Sequence, residues 1–323
     1  IGLVGSEMCI RDSLILFDQA ESGLYDLQWE ILDAAPEVKF EIVIGDVTHE
    51  KRVENLIKSF SPEIVFHAAA YKHVPLMELN PSEAVKTNVL GSKILMDTAH
   101  KYQVKKFILI STDKAVNPTN VMGATKRVAE IYAQQINKKS ETQFITTRFG
   151  NVLGSNGSVI PLFQRQIENG GPITITDPRI TRFFMSIPEA CQLVLEASVM
   201  GNGGEIYVFD MGDSVKIIDL AKKMISLSGM TIDKDIQIKV TGLRPGEKLY
   251  EELLANEENT IPTHHKKILI AKTNVINKNE MQIDALINLI DEQKNDQLVK
   301  VIKTIVPEYL SKNSSFEKLD NND

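Results

Sequence analysis

Thr112, Asp113 and Lys114 place a hydroxyl, a carboxyl and an amine side by side in this sequence. They follow residues 107–110, a short apolar run that is typical of a buried strand, and they precede a turn. An adjacent carboxyl and amine can serve as an acid and a base in opposite protonation states. Solvated charges on a capped helix are the alternative, but charges directly after a strand favour a functional site.

A helical pattern over residues 120–137 follows this turn. It brings Met122 and Lys126 one turn apart on the same helical face. The pattern therefore predicts that the two side chains lie on one side of this helix.

An alternation of strands and helices must position these groups. Strand-like apolar runs cover residues 14–18, 40–44, 64–66, 107–110 and 144–147, and helical patterns separate them over residues 24–32, 50–60, 83–102 and 120–137. This order predicts an α/β fold with a doubly wound, Rossmann-like parallel sheet. Ligands bind beyond the carboxyl ends of such strands, so we expect Asp18, Asp46 and the small residues after His67 at the site.

The composition and the secondary-structure pattern change near residue 151, where glycines, prolines and short strand-like runs become frequent. We predict a dinucleotide-binding domain over residues 1–150. A smaller α/β substrate lobe is expected over residues 151–272, with some of its segments returning to the main sheet. Residues 273–323 are expected to form C-terminal helices and then a disordered, solvated tail over the last dozen residues.

The first thirteen residues do not fit this plan. Gly2 and Gly5 have the spacing of a dinucleotide-binding glycine turn, but no strand precedes them. Eight residues separate Gly5 from Leu14, whereas a crossover between parallel strands needs about a dozen. We therefore expect an incomplete first βα unit, in which Gly2 and Gly5 are candidate cofactor contacts and an irregular N-terminus is the favoured alternative.

The composition is that of a soluble globular chain, with 43% hydrophobic and 24% charged residues and a net charge of −7. This charge argues against a nucleic-acid partner. Cys9 and Cys191 cannot form a disulfide framework, and we find neither a leader nor an apolar run long enough to span a bilayer. We therefore expect a cytoplasmic protein without a membrane segment. Because its histidines are isolated or adjacent in a loop, we predict no metal site.

The motifs together resemble those of the extended short-chain dehydrogenases/reductases, and specifically the UDP-N-acetylglucosamine 4,6-dehydratases of polysaccharide biosynthesis. The resemblance covers residues 14 to about 271 and rests on residues 16–21, 45–47, 67–75, 111–118, 148–155, 181–185 and 244–248. Most reductases of this superfamily carry a tyrosine four residues before the lysine, where this sequence has Met122. The configuration-retaining, membrane-associated branch of the dehydratases carries methionine there too, and its members often have membrane helices upstream. The resemblance is therefore to that branch.

The resemblance implies a reaction that uses tightly bound NAD: oxidation at C4 of the sugar, loss of the C5 proton, loss of water from C6, and return of hydride to C6. It implies Asp113 as the acid that expels water and Lys114 as the C5 base, with the pKa of Lys114 depressed by burial. Thr112 is expected to hydrogen-bond the C4 hydroxyl, and Lys126 to hold the nicotinamide ribose. Met122 cannot transfer a proton, which leaves Asp113 or a chain of waters to accept the C4 hydroxyl proton.

The same resemblance implies the binding residues. Asp18 is expected to bind the adenosine ribose and to favour NAD over NADP, with a helix cap as the alternative. Further cofactor contacts are expected at Asp46, Val47, Ala68, Ala69, Ala70 and Lys126. Arginine forks suit a pyrophosphate, although surface ion pairs are equally good interpretations of each arginine. The expected contacts to the UDP-sugar substrate are Lys72, Asn88, Asn151, Arg182, Arg244 and Glu247.

Two alternatives stay open at this point. A sugar-nucleotide 4-epimerase or reductase would share most of these residues, but it needs no base at C5. A non-catalytic nucleotide-sugar-binding fragment would explain the irregular glycine turn. In either case we expect a homo-oligomer.

Overall fold

The computed structural model describes residues 13–252, 259–272 and 280–320. The first part of the chain alternates strands and helices. These are β1 Leu14–Asp18, α1 Glu21–Ala34, β2 Phe40–Ile44, α2 Glu50–Phe60, β3 Ile64–His67, α3 Val74–Leu79, α4 Pro81–Val85, a π-helical turn Lys86–Gly91, α5 Ser92–Lys101, β4 Lys106–Thr112, a 3₁₀ turn Asp113–Ala115, α6 Val121–Asn137 and β5 Gln143–Phe149. The helical pattern predicted over residues 83–102 is thus interrupted by the π turn.

Shorter elements follow after residue 150. They are β6 Asn151–Val152, α7 Val159–Glu168, β7 Ile173–Ile175, β8 Thr181–Arg182, β9 Phe184–Met185, α8 Ile187–Met200, β10 Ile206–Phe209, β11 Val215–Lys216, α9 Ile217–Leu227, β12 Ile238–Val240, β13 Asn259–Pro262, β14 Ile268–Lys272, α10 Glu280–Asn288, α11 Asn295–Ile305 and a 3₁₀ turn Ser315–Leu319.

The main sheet has six strands in the order β13-β14-β10-β5-β4-β3. Strands β3, β4, β5 and β10 are parallel, whereas β14 and β13 are each antiparallel to their neighbour. Strands β1 and β2 form a separate parallel pair. The α/β fold with a Rossmann-like, mostly parallel sheet is therefore confirmed.

The central strands are buried on both faces, which explains their continuous apolar runs. In β4, Phe107 and Leu109 belong to the core under α5 and α6, and Ile108 belongs to the core under α8. Phe144 and Ile145 of β5 divide in the same way, because successive strand residues point to opposite faces. A third core, built from α7, α9, β7 and β12, lies in the smaller lobe.

The expectation of a solvated tail is wrong for residues 312–320. Phe316 is only 4% exposed and packs in the main core with α10 and α11. Apolar burial fixes this segment although its neighbours in the sequence are polar.

The backbone of this segment also joins two loops. The Leu310 and Lys312 amides donate to the carbonyls of Pro118 and Thr119, each at 3.1 Å, and the Gly246 amide donates to the carbonyl of Lys312 at 2.8 Å. We call residues 310–314 the C-terminal clasp. It holds the loop before α6 against the loop that contains Gly246.

None of the helices in the described ranges is long and apolar enough to cross a membrane.

Candidate active site

The 3₁₀ turn after β4 carries Asp113 and Lys114, the predicted acid–base pair. Asp113 is fully buried, and its Oδ1 accepts hydrogen bonds from Thr112 Oγ1 at 2.8 Å and from Lys114 Nζ at 3.0 Å. Its other oxygen, Oδ2, has no hydrogen-bond partner in the described structure. The structure therefore brings the three residues together and leaves one carboxylate oxygen available.

The backbone after β5 and the side chain of Met211 leave little space around this free oxygen. A Cβ added to Gly150, which follows β5, would lie 3.0 Å from Asp113 Oδ2 and 3.1 Å from Met211 Sδ. Glycine is thus the residue that lets β5 end against the carboxylate.

Helix α6 packs directly on the same turn. Its N-cap, Asn120, accepts a hydrogen bond from the Gly123 amide at 2.7 Å. A Cβ on Gly123 would collide with the carbonyl oxygen of Lys114. The two backbones therefore touch here, at the start of the helix that carries Met122 and Lys126.

Met122 and Lys126 are both buried, at 3% and 4% exposure. Burial lowers the pKa of Lys126 to about 8, against an opposing influence of Glu130. Burial and the nearby Lys126 lower the pKa of His67 to about 3, and the neutral imidazole lies 2.8 Å from Ser92 Oγ. Within the described ranges, the Lys126 ammonium donates no hydrogen bond, so it is free to bind a ligand.

A buried ion pair joins α6 to β5. Arg148 of β5 makes two hydrogen bonds to the Glu130 carboxylate, at 2.8 and 2.6 Å, and Ser111 Oγ donates to it at 2.6 Å. Arg127 adds a second cation at 3.1 Å. Burial raises the pKa of Glu130, but the arginines outweigh it and hold that pKa at about 2. Sequence reasoning did not single out this pair, whose members lie on different elements.

A second carboxylate at the site, that of Glu251, was also missed. Glu251 Oε1 lies 3.6 Å from Lys114 Nζ and 3.8 Å from Arg182 Nε, and its side chain is 3% exposed. Two acids stand together in the sequence, at 251 and 252, and only the first points inward. No sequence pattern distinguishes them.

The expected depression of the Lys114 pKa is wrong. Burial does lower the pKa, but the carboxylates of Asp113 and Glu251 raise it more, so the net pKa lies above the ordinary value of a lysine. The two carboxylates therefore stabilise the charged ammonium.

Charged residues of the smaller lobe line the next part of the site. Glu247 Oε1 accepts from Arg244 at 3.3 Å and lies 3.6 Å from Arg182 Nη2. Arg182 is half-buried and also donates to the carbonyls of Lys248 and Thr181 at 2.8 Å, whereas Arg244 is exposed. Sequence reasoning placed these three residues together, and the structure does so too.

Asn151 lies beside this group, because β6 pairs with β9. Its side-chain amide donates to the carbonyl of Phe183 at 3.2 Å. Asn151 therefore links the strand after Gly150 to the arginine-bearing segment.

Lys72 and Asn88 lie at the loop after β3. The Lys72 side chain is exposed as a whole, but neighbouring atoms partly desolvate its amine and so lower its pKa. Asn88 is fully buried and bonds both the amide and the carbonyl of Tyr71, at 2.8 and 3.1 Å. In this structure Asn88 shapes the loop, and its contact with a substrate stays a prediction.

The residues expected to bind a dinucleotide lie at the ends of the first three strands. Asp18 is exposed at the end of β1, and its Oδ1 accepts from the Ala20 amide at 2.8 Å in a local turn. Ala20, not Asp18, is the N-cap of α1, and no side chain in the described ranges caps this helix. Asp46 binds the Thr48 amide at 2.8 Å, and Val47 is buried against Gly91. Ala68, Ala69 and Ala70 follow β3 and are partly or fully exposed.

These groups fit a dinucleotide in two respects. Small side chains leave room after β3, and the buried Lys126 ammonium offers unused donors near that edge. Gly2 and Gly5 lie outside the described residues. Among the residues that are described, no three potential ligands cluster closely enough to hold a metal ion.

Comparison with known proteins supports this assignment of the fold and family. The family model described as "Polysaccharide biosynthesis protein" matches residues 4–273. The capsular polysaccharide biosynthesis protein CapD of Staphylococcus aureus is 48% identical over 309 residues, which are 93% of this chain and 51% of CapD. This chain thus spans about half the length of that relative.

Two further proteins are similar to the chain. The X-ray structure of Pen from Bacillus thuringiensis has a TM-score of 0.77 at 33% identity, over 91% of this chain and 94% of Pen. A UDP-glucose 4-epimerase of Rickettsia canadensis is 42% identical over 246 residues, which are 75% of this chain and 69% of the epimerase. The resemblance drawn from the motifs is therefore confirmed at the level of the family. The chain belongs to the polysaccharide biosynthesis protein family, with the fold of the extended short-chain dehydrogenases/reductases.

Proposed function

We propose that the chain is the catalytic domain of an NAD-dependent 4,6-dehydratase that acts on UDP-N-acetylglucosamine and supplies a 4-keto-6-deoxy sugar nucleotide for polysaccharide synthesis. The observation that carries this proposal is the pairing of a buried Asp113 with Lys114, 3.0 Å apart, beyond the end of β4. Elimination of water between C5 and C6 needs one acid and one base on the same side of the sugar, whereas an epimerase needs no base at C5.

The residues at the strand ends suit NAD. When bound, NAD takes hydride from C4 of the sugar and returns it to C6. The Asp18 carboxylate at the end of β1 suits ribose hydroxyls and repels a 2′-phosphate, which favours NAD over NADP. Ala68 to Ala70 leave space for the cofactor, and the Lys126 ammonium would hold the nicotinamide ribose.

The remaining steps fall to this chain's own side chains. Asp113 protonates the departing C6 hydroxyl through its free Oδ2, and Lys114 removes the C5 proton. Thr112 is fixed by its hydrogen bond to Asp113 and can orient the C4 hydroxyl. We further propose that Arg182, Arg244 and Glu247, together with Lys72 and Asn151, bind the UDP part of the substrate.

The decisive experiment supplies UDP-N-acetylglucosamine and NAD to the purified protein in D₂O. We expect a 4-keto-6-deoxy product with deuterium at C5. Lys114→Ala is expected to abolish turnover while UDP binding is retained. Lys105→Ala is the matched control, because Lys105 is an exposed lysine that pairs with Glu63 on the surface.

Other outcomes would favour the alternatives. The similarity to a UDP-glucose 4-epimerase makes an epimerase the first alternative to test. A product with inverted configuration at C4 and no deuterium at C5 would identify it. Purified protein that binds UDP but retains no NAD and forms no product would instead be a nucleotide-sugar-binding module. An active Lys114→Ala protein would remove Lys114 from the mechanism.

The domain boundaries at residues 150 and 272, a homo-oligomeric state and a cytoplasmic site of action stay predictions from the sequence. Size-exclusion chromatography with light scattering tests the oligomeric state directly.

A further inference from the structure

The Lys114 ammonium lies between two buried carboxylates. Its Nζ is 3.0 Å from Asp113 Oδ1 and 3.6 Å from Glu251 Oε1. Both acids raise the pKa of Lys114, and their influence exceeds that of burial. The resting pair is therefore an Asp113 carboxylate and a Lys114 ammonium, which hold one proton between them.

The proposed reaction needs one more proton acceptor than Asp113 and Lys114 provide. Oxidation at C4 releases the hydroxyl proton into the site. The site then holds two titratable protons, one on the Lys114 ammonium and one from the hydroxyl. Elimination requires a protonated Asp113 and a neutral Lys114, which together hold one. One surplus proton therefore needs an acceptor from the oxidation at C4 until a proton returns to C5. This holds whether Asp113 or Lys114 first receives the hydroxyl proton.

Glu251 has the position and the surroundings of that acceptor. Its Oε2 is buried without a hydrogen-bond partner in the described part of the chain, so it can take a proton without breaking a bond. The charged groups that face it are Lys114, Asp113, Arg182 and Lys248. Burial and the charge of Asp113 raise the pKa of Glu251, while the three cations lower it less. Glu251 is thus a better proton acceptor than an ordinary carboxylate.

We propose that Glu251 stores the surplus proton during the reaction, taking it from the Lys114 ammonium so that Lys114 becomes the neutral base. In this step an N–H bond of Lys114 breaks and an O–H bond of Glu251 forms. The Asp113 charge raises the pKa of both Lys114 and Glu251, but Asp113 also hydrogen-bonds the Lys114 ammonium directly, at 3.0 Å. Protonation of Asp113 therefore weakens the hold of Lys114 on its proton more than that of Glu251, and the transfer becomes more favourable when the base is needed.

The cycle then closes with no net gain or loss of protons. Hydrogens that the Lys114 amine took from solvent before turnover mix there with the C5 proton, so deuterium still enters C5 in D₂O. Asp113 gives its proton to the leaving water, and Lys114 takes the C5 proton and later returns it. The proton stored on Glu251 passes back to Lys114 and restores the resting pair. Glu251 is a positioning residue for the proton and acts through Lys114. This inference rests on the proposed function.

The test compares Glu251→Gln with the wild type over pH 6.5 to 8.5. Wild-type exchange of the C5 hydrogen with solvent should be nearly independent of pH, because the surplus proton stays inside. In Glu251→Gln the proton must leave to solvent, so exchange should fall at least tenfold at pH 7 and recover about tenfold per pH unit. The initial appearance of NADH absorbance should change less than twofold, because oxidation at C4 precedes the storage step.

Two variants complete the experiment. Glu251→Asp keeps a carboxyl group and should restore part of the flat pH profile. Glu252→Gln changes the exposed neighbour and should match the wild type. A Glu251→Gln protein whose exchange has the wild-type pH profile, at full rate or uniformly reduced, overturns the proposal.

A second measurement needs neither substrate nor cofactor. Acylation of Lys114 by acetic anhydride, followed peptide by peptide with mass spectrometry, reports how much of the amine is neutral. Glu251→Gln should increase labelling of Lys114 about tenfold at pH 8, and unchanged labelling would refute the coupling between the two residues. Absence of C5 exchange in the wild type together with altered labelling would refute the proposed dehydratase and leave the coupling intact.

Discussion

The buried pair of Glu130 and Arg148 offers the sharpest test of what holds the active-site helix in place. Glu130→Gln keeps the shape of the side chain and removes its charge. Both residues are fully buried, so the variant leaves an Arg148 guanidinium with no full countercharge in the interior. Loss of one partner of a buried pair costs about 3–5 kcal/mol.

The pKa of Glu130 gives an independent magnitude. Its value of about 2 in the folded protein lies below the ordinary 4.5. At pH 7 this difference contributes about 3 kcal/mol to the free energy of unfolding. Because the folded pKa is depressed, the contribution is complete above pH 4.5 and is lost as the pH falls towards 2.

Urea denaturation at several pH values measures both the loss of stability in Glu130→Gln and its dependence on pH. We expect Glu130→Gln to lower the free energy of unfolding by about 3 kcal/mol at pH 7 and by about 2 kcal/mol near pH 3.5. Glu141→Gln, at an exposed acid before β5, should change it by less than about 0.5 kcal/mol. A loss below about 1 kcal/mol at pH 7, or a loss that grows as the pH falls, would refute this account of the pair.

Three other variants test the site and its support. Lys126→Met should raise the free energy of unfolding at pH 7 by up to about 3 kcal/mol, since burial holds the pKa of Lys126 at about 8 instead of 10.5. For the same reason, wild-type stability should rise between pH 8 and 10.5, and a stability curve that falls there contradicts the shift. Gly150→Ala should reduce the proposed dehydration at least tenfold while the circular dichroism spectrum is kept, because its Cβ would crowd the Asp113 carboxylate at 3.0 Å; full activity would show that the carboxylate can move freely. Phe316→Ala should destabilise the protein by about 3 kcal/mol in urea denaturation, and a neutral result would mean that this ring packs only loosely.

The first half of the fold could be predicted because its signals are local. Strand β4 contains a continuous apolar run, β5 carries the apolar pair Phe144 and Ile145 near its start, and α2 carries its apolar residues at helical spacing. The chemistry-bearing turn after β4 follows from the same reasoning, since the ends of parallel strands meet at one edge of the sheet.

The second half could not be predicted in the same detail. Strands β10 and β14 are as short as β1, β2 and β3 of the first half, but they join each other and the main sheet through pairings between residues that are distant in the sequence. The C-terminal segment was misjudged because one buried aromatic ring, that of Phe316, outweighs its polar neighbours.

The pKa of Lys114 illustrates the same limit within the site. Its nearest acid, Asp113, is adjacent in the sequence and could be weighed. Its second acid, Glu251, comes much later in the chain, and only the fold shows that the two side chains face each other. Electrostatic properties of a buried group depend on such distant neighbours.

The C-terminal clasp has a consequence for how the protein is made. A ribosome completes Asp113, Lys114 and the whole of α6 long before it reaches Lys312 of the clasp. Until Lys312 has emerged, the carbonyl of Thr119 and the amide of Gly246 lack the partners that they have in the folded chain. The nascent polypeptide therefore lacks the backbone hydrogen bonds through which Lys312 joins the loop before α6 to the loop that contains Gly246 until Lys312 has been synthesised.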